Sequence, residues 1–404
     1  MADLLIAAFQ PSQPAGANIS EVPWALRERG RRHNVTLVPR HLRDARAGVR
    51  TAARRYGGGV PETSDAPEFR GRLDPAVAAV RSAVRAALAP LSAGPAETPV
   101  RVLVALSGGA DSLALAAATA FEAPRLGIEA SAAVIDHGLQ DASAAQAGAA
   151  ADAARALGLD ATVIAVEVSA EGGPEAAARD ARYAALSAEA ERLGAVAVLL
   201  GHTLDDQAET VLLGLARGSG GSSLMGMAPV RSDEASGVLW VRPLLGVRRE
   251  VTRAASAAAG LPVWDDPHNL DTRFTRVRVR TRVLPALEDE LGPGVAEALA
   301  RTAEQLREDA EAFREMIDET IEDIVEHAEA GISVSVPALA ANPAALRHRI
   351  IRHVVASEFG VGLTRSQTLE VARLVTDWRG QSPIDLPGCV AQRRGARLVF
   401  AARS

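Results

Sequence analysis

Residues 102–112 read Val102-Leu103-Val104-Ala105-Leu106-Ser107-Gly108-Gly109-Ala110-Asp111-Ser112. An apolar run of strand length enters a pair of glycines and leaves into an Ala-rich stretch, which predicts a strand, a tight turn and a helix in succession. The glycines let the backbone turn sharply and bare its N–H groups, and the helix start adds partial positive charge. A phosphate or pyrophosphate suits such a turn. No lysine could assist, because all 44 basic residues of the chain are arginine. That excludes a P-loop lysine, a Schiff base and a lysyl–nucleotide intermediate. Asp111 is a poor phosphate ligand; it suits either Mg²⁺ bridging the phosphates or the capping of the helix.

The same alternation continues on the C-terminal side. Strands are expected at Val102–Leu106, Ala132–Ile135, Thr162–Val166 and Ala195–Leu200. Helices are expected at Ser112–Glu122, Ala144–Leu157, Glu175–Leu193 and Asp205–Ala216. This is an α/β pattern, a doubly wound and mostly parallel sheet whose ligands lie beyond the carboxyl ends of the strands. At the fourth such end stands Gly201-His202-Thr203-Leu204-Asp205-Asp206-Gln207-Ala208-Glu209-Thr210. His202 could move a proton there, and Asp205 and Asp206 could bind Mg²⁺, act as base, or merely cap the helix and favour its first turn.

Beyond residue 285 the pattern changes. Apolar side chains at Val295, Leu299, Leu306, Phe313, Ile317 and Ile324 form one stripe of a long helix, and residues 295–330 hold twelve acids against three arginines. Residues 346–404 reverse the balance, with ten arginines against four acids. The expected organisation is therefore an extension over 1–70 that is poorly ordered or arises from a start codon placed too far upstream, an ATP-binding catalytic domain over 71–285, the acidic helix over 286–335 and a small basic domain over 336–404. The extension carries eleven arginines against seven acids, so a basic arm for nucleic acid is its other reading.

The chain has 404 residues, 48% of them apolar, and a formal charge of −6, figures expected of two or three folded units. No apolar run is long enough for a membrane helix and no secretory signal opens the chain, so the cytoplasm is the expected location. The single cysteine, Cys389, excludes an internal disulfide, a multi-thiolate zinc site and a two-cysteine sulfur relay.

The string Ser107-Gly108-Gly109-Ala110-Asp111-Ser112 resembles the phosphate loop of the PP-loop ATP pyrophosphatases, which cleave ATP between its α and β phosphates and pass AMP to an acceptor oxygen. The string from Gly201 to Thr210 strongly resembles the signature of the tRNA(Ile)-lysidine synthases. Glu175-Ala176-Ala177-Ala178-Arg179-Asp180-Ala181-Arg182-Tyr183 is similar to the helix whose arginines face the nucleotide in that family. Val134-Ile135-Asp136-His137-Gly138-Leu139 is similar to its second-strand motif beside the adenosine, with Gln140 where members often carry arginine. Asp266-Pro267-His268-Asn269-Leu270-Asp271-Thr272-Arg273-Phe274-Thr275-Arg276-Val277-Arg278-Val279-Arg280 is similar to the segment after its catalytic domain, with Val277 where many have asparagine. Leu386 to Phe400 looks like its terminal hairpin. The resemblance spans residues 72–404 and is strongest over 101–287.

What the resemblance implies is an enzyme that uses ATP and Mg²⁺ to join free L-lysine to carbon 2 of the wobble cytidine in the isoleucine tRNA with a CAU anticodon. Ser107, Gly108, Gly109, Ala110, Asp111, Ser112 and Asp136 would bind the nucleotide, and Asp111 and Asp206 the metal. Asp111, Arg182, His202, Asp205 and Asp206 would carry catalysis. Five arginines fall between 273 and 282, a density of fixed charge suited to an RNA backbone, so Arg273, Arg276, Arg278, Arg280 and Arg282 are expected to hold the tRNA together with the basic C-terminal domain. A homodimer is left open. The rivals are another PP-loop adenylating enzyme, such as a tRNA thiolase or an amide-forming ligase, and a non-catalytic RNA-binding protein.

Overall fold

Val102, Leu103, Val104 and Leu106 are all buried, as a strand covered on both faces requires. The computed structural model describes residues 73–92, 99–138, 143–166, 174–218, 220–233, 236–328 and 331–403. The extension over 1–70, together with Gln140 and Ser219, lies outside the described residues.

The first sheet is built from β1 (Val100–Leu106), β2 (Ile128–Asp136), β3 (Asp160–Ala165), β4 (Ala197–Leu199), β5 (Val230–Ser232) and β6 (Leu239–Val241), in the order β3-β2-β1-β4-β6-β5. Every pairing in it is parallel except that of the edge strand β5. The strand order reverses at β1, the switch point beside which a ligand crevice opens. Four helices follow the expected spans: α2 (Ala110–Glu122), α3 (Ser143–Ala156), α4 (Pro174–Leu193) and α5 (Leu204–Arg217). Preceding them, α1 (Pro75–Leu88) starts on an Asp74 cap and buries Val80, Val84 and Leu88. It is fastened to α2 by Arg85, whose Nε donates to the fully buried Glu122 at 2.7 Å. Like α1, the single-turn α6 (Gly221–Leu224) and α7 (Arg249–Ala258) had no expectation attached. One core holds Val104, Leu113, Leu115, Val134 and Ala151 under α1, α2, α3 and α7, and the other holds Leu103, Leu186, Val198 and Trp240 under α4.

The arginine-rich stretch forms α8 (Thr275–Arg278) and a π turn over Val279–Val283 that run into α9 (Leu284–Leu291). The long helix α10 spans Val295–Ile324 and its apolar stripe serves two cores. Val295 and Leu299 pack with Leu204 and Ala208 of α5, whereas Phe313 and Ile317 pack into the C-terminal module. That module begins earlier than the expected residue 336. The strands β7 (Val325–Ala328) and β8 (Gly331–Ser335) already belong to its sheet, of order β7-β8-β11-β10-β9. The acidic run continues through Glu326, so charge alone hid the point where the helix stops. The remaining elements are α11 (Val336–Ala341), α12 (Ala344–Phe359), α13 (Arg365–Thr376), β9 (Ile384–Leu386), β10 (Cys389–Arg394) and β11 (Arg397–Ala402), the last two pairing as the expected hairpin. Phe400, Leu398, Ile350 and Cys389 are fully buried in the core of the module.

Candidate active site

The turn after β1 is held shut by one side chain. The Ser107 N–H donates to the Ser112 hydroxyl at 3.1 Å, and that hydroxyl donates to the Gly109 carbonyl at 2.9 Å. Gly108 has φ +80°, left-handed backbone that favours glycine. Its carbonyl accepts the Trp264 N–H at 3.0 Å, while the Leu113 N–H reaches back to the Gly109 carbonyl at 3.0 Å. The N–H groups of Ala110, Asp111 and Ser112, in the first turn of α2, thus lack helical partners and can receive an anion. Asp111 does not cap this helix, since the N-cap is Gly109. A Cβ on Gly201, just past β4, would stand 3.2 Å from the Asp111 carbonyl, so glycine there lets the second motif press against the first without displacing it.

Thr203 is the N-cap of α5. Its N–H and hydroxyl both donate to Asp206 Oδ2, at 2.8 and 2.9 Å, closing a capping box. Asp206 Oδ1 faces the site, where it accepts Arg249 Nη2 at 2.6 Å and Arg280 Nη2 at 3.2 Å. Asp205 is not a cap; its Oδ2 accepts the Arg249 backbone N–H at 2.7 Å and its Oδ1 lies 3.6 Å from Arg248. Asp111 accepts a hydrogen bond from the Thr252 hydroxyl and has Arg249 Nε 3.5 Å away. The fully buried Glu209 receives Arg280 Nε at 2.7 Å and Arg249 Nη1 at 3.2 Å, with Arg276 Nε at 3.9 Å. One guanidinium, Arg249, therefore touches three carboxylates from the ends of β1 and β4.

These surroundings push the two central carboxylates apart. Burial raises the Asp111 pKa, and the Thr252 hydroxyl and Arg249 only partly offset it. Burial acts on Asp206 in the same direction, but Arg249 and the Thr203 N–H outweigh it and hold that carboxyl below its usual range. Burial opposes the charge of Arg249 too; Asp206, Glu209 and Asp111 more than compensate, so its pKa is raised.

Two expectations need correction. His202 is pushed down to about 4 by burial, and its Nδ1 has no hydrogen-bond partner among the described residues. At neutral pH it is an uncharged imidazole and too weak a base to take a proton from an ammonium. The alternating arginines do not point together at RNA. A helix places residues four apart on one face, so Arg276 and Arg280 turn inward to Glu209 and Asp206. Arg278 donates to the carbonyls of Thr272 and Arg273, and Arg273 pairs with Asp271 at 2.7 Å. Arg282 is exposed.

Arg182 stands over the end of β2, with Nε 3.4 Å from His137 Nε2, and Asp136 accepts the Gly138 N–H at 3.0 Å. Gly218 ends α5 with φ +64°, a plain left-handed C-cap. Sequence inspection did not assign Arg248, Arg249, Thr252, Glu209 or Trp264. A signal for the first two existed, because adjacent arginines at a helix N-terminus oppose the macrodipole unless carboxylates lie close.

No three His, Cys, Asp or Glu side chains are grouped as metal ligands among the described residues. Asp111 and Asp206 do share one cation, the Arg249 guanidinium. Carboxylate oxygens around a shared positive charge fit Mg²⁺, which takes one or two protein carboxylates and fills its shell from phosphates and water.

Residues 80–287 match the PP-loop domain family model and residues 335–399 match the TilS substrate binding domain. A tRNA(Ile)-lysidine synthase of Leifsonia xyli subsp. xyli is 58% identical over 301 residues, covering 74% of this chain and 89% of that protein. Its counterpart in Streptomyces coelicolor is 50% identical over 356 residues, covering 81% and 98%. Among solved structures, a U34-tRNA thiolase of Methanococcus maripaludis with its [4Fe-4S] cluster aligns with a TM-score of 0.48 at 18% identity, over 58% of this chain and 80% of that one.

Proposed function

The chain belongs to the tRNA(Ile)-lysidine synthase family, and on that footing we propose that it joins free lysine to the wobble cytidine of the isoleucine tRNA with a CAU anticodon at the expense of ATP. In the first step the cytidine O2 attacks the α-phosphate of ATP and pyrophosphate leaves. In the second the lysine ε-amine attacks carbon 2, the bond to O2 breaks and AMP departs.

Such chemistry asks the protein for placement and charge neutralisation. Ser107 to Ser112 grip the pyrophosphate half through the free N–H groups of the first turn of α2. Asp136 and Arg182, at the end of β2, take the nucleoside side. Asp111 and Asp206 would hold Mg²⁺, which when bound neutralises the phosphates. The two carboxyls differ in their surroundings: Arg249 and the Thr203 N–H hold Asp206 anionic, whereas burial disfavours the charge on Asp111, which a bound cation would stabilise. Asp205 anchors α7 through the Arg249 N–H and so keeps Arg249 between the acids. His202, neutral and half-buried at the same strand end, offers a hydrogen bond instead of a charge.

The observation that carries this is the convergence of a lysine-free phosphate turn and two carboxylates on one guanidinium at the switch point of the sheet. A thiolase that relays sulfur is disfavoured by the solitary, buried Cys389. The test is incorporation of labelled lysine into the CAU-anticodon isoleucine transcript with ATP and a magnesium salt. Label in that RNA and not in the methionine tRNA is the expected result; equal labelling of both, or none in either, refutes the assignment. The Asp111→Asn protein should lose turnover while keeping its affinity for RNA.

A further inference from the structure

The arginines gathered at the acids, Arg248, Arg249, Arg276 and Arg280, each pair with a carboxylate. Arg182 on α4 meets a different partner. Its Nε and Nη2 both stand 3.4 Å from Nε2 of His137, the residue just past β2, and it forms no ion pair among the described residues. A carboxylate lies next in the chain to that histidine, yet Arg182 makes no bond to it. Asp136 is turned instead to the Gly138 N–H at 3.0 Å, and this bond together with the Ser143 side chain holds it below the usual carboxylate range.

The contact fixes where the ring of His137 carries its proton. A guanidinium can only donate, so the Nε2 lone pair must be free and the proton must sit on Nδ1. Burial, and after it the Arg182 charge, hold the His137 pKa below the ordinary imidazole value against the pull of Asp136, so the ring is neutral at pH 7. Nδ1 is buried and has no partner among the described residues, which leaves the bond to Arg182 to set the tautomer.

We infer that His137 is a positioning residue for Arg182, an uncharged acceptor that fixes the guanidinium without cancelling its charge, so that the full cation faces the α-phosphate of ATP. The inference rests on the nucleotide placement proposed above. A carboxylate in the same place would hold the arginine as firmly but offset its field, as Asp206 and Glu209 do for Arg249. The imidazole takes up the edge of the fork that bears Nε and Nη2. Nη1 bonds to nothing among the described residues, and the Arg182 side chain is exposed. A fixed guanidinium with its charge intact suits a phosphoryl group whose negative charge is spread over several oxygens.

The test compares three changes in the full chain: His137→Gln, which keeps a neutral acceptor, His137→Leu, which removes it, and His137→Glu, which replaces it with a carboxylate. Kd for ATP with a magnesium salt, kcat for labelled-lysine transfer at saturating RNA, and RNA affinity are measured for each. The Gln protein should stay within about threefold of the parent in Kd and kcat. The Leu protein should lose about a hundredfold in kcat, the effect of a misplaced group, with RNA affinity unchanged. The Glu protein should bind ATP at least about tenfold more weakly than the Gln protein. Arg182→Met should lose as much kcat as His137→Leu, and the double variant should lose no more, because the two side chains act as a unit. In nitrogen-15 spectra of the parent at neutral pH, the His137 ring, identified by its absence from the Gln protein, should carry its proton on Nδ1. Equal ATP affinity in the Gln and Glu proteins, additive losses in the double variant, or a proton on Nε2 overturns the inference. A parent that transfers no lysine, while the Gln and Glu proteins part in ATP affinity as stated, would sink the enzymatic proposal and leave the positioning role standing.

Discussion

At the scale of single residues the site is a problem of keeping charge in a partly buried place. An unpaired buried carboxylate is costly and neutralises itself by raising its pKa, so Asp206 persists as an anion because Arg249 and Arg280 lie beside it. His202 solves the problem differently, by not being charged. Its pKa of about 4 in the folded protein lies below the value near 6.5 of the unfolded chain. Between those values the unfolded state binds the extra proton, so stability falls as pH falls, by up to about 1.4 kcal/mol per pH unit, and the loss levels off below pH 4. Urea unfolding at pH 7, 6 and 5 should show this decline in the parent and a flatter one in His202→Gln; identical declines would show that the imidazole is not shielded. The phosphate turn and the His202–Asp206 string were legible in the sequence because strand, turn and helix signals run together there. Arg249 was not, because its importance lies in contacts forty or more residues away in the chain, and no periodicity records those.

At the scale of elements, the four βα units could be read from the chain because each apolar run is followed by a long Ala-rich helical stretch, even though β3 is partly exposed at the sheet edge and β4 is only three residues long. The edge strand β5 and its neighbour β6 could not, being three residues each and not followed by a long helical stretch that would mark a βα unit. The short helix α6 is placed by a different device. Gly214 lies inside α5, yet a Cβ there would come within 2.1 Å of the Ser223 carbonyl oxygen. Alanine normally stabilises a helix by up to about 1 kcal/mol over glycine, but a clash with backbone costs about 1–3 kcal/mol. Gly214→Ala is therefore expected to lower the melting temperature by several degrees, and a rise would mean that α6 is free to move aside. Helix α10 teaches the same lesson in reverse: its stripe was visible in the sequence, but that its two halves serve different cores was not.

At the scale of the whole molecule, two cores that share one helix predict separable damage. Phe400 is fully buried in the C-terminal module, and Phe400→Ala should destabilise that module by about 3–5 kcal/mol. The phosphate turn rests on the separate core under α1, α2, α3 and α7, so nucleotide affinity should survive while affinity for RNA is lost; simultaneous loss of both would mean that the cores melt as one. The sole sulfhydryl of the protein lies in the affected core, since Cys389 is fully buried on β10, next to the edge strand β9. With no other thiol to react and no lysine amine to confuse a labelling reagent, a maleimide dye becomes a built-in clock: every molecule it marks has opened its C-terminal half at least once, and the rate at which colour accumulates, with and without RNA, counts those openings directly.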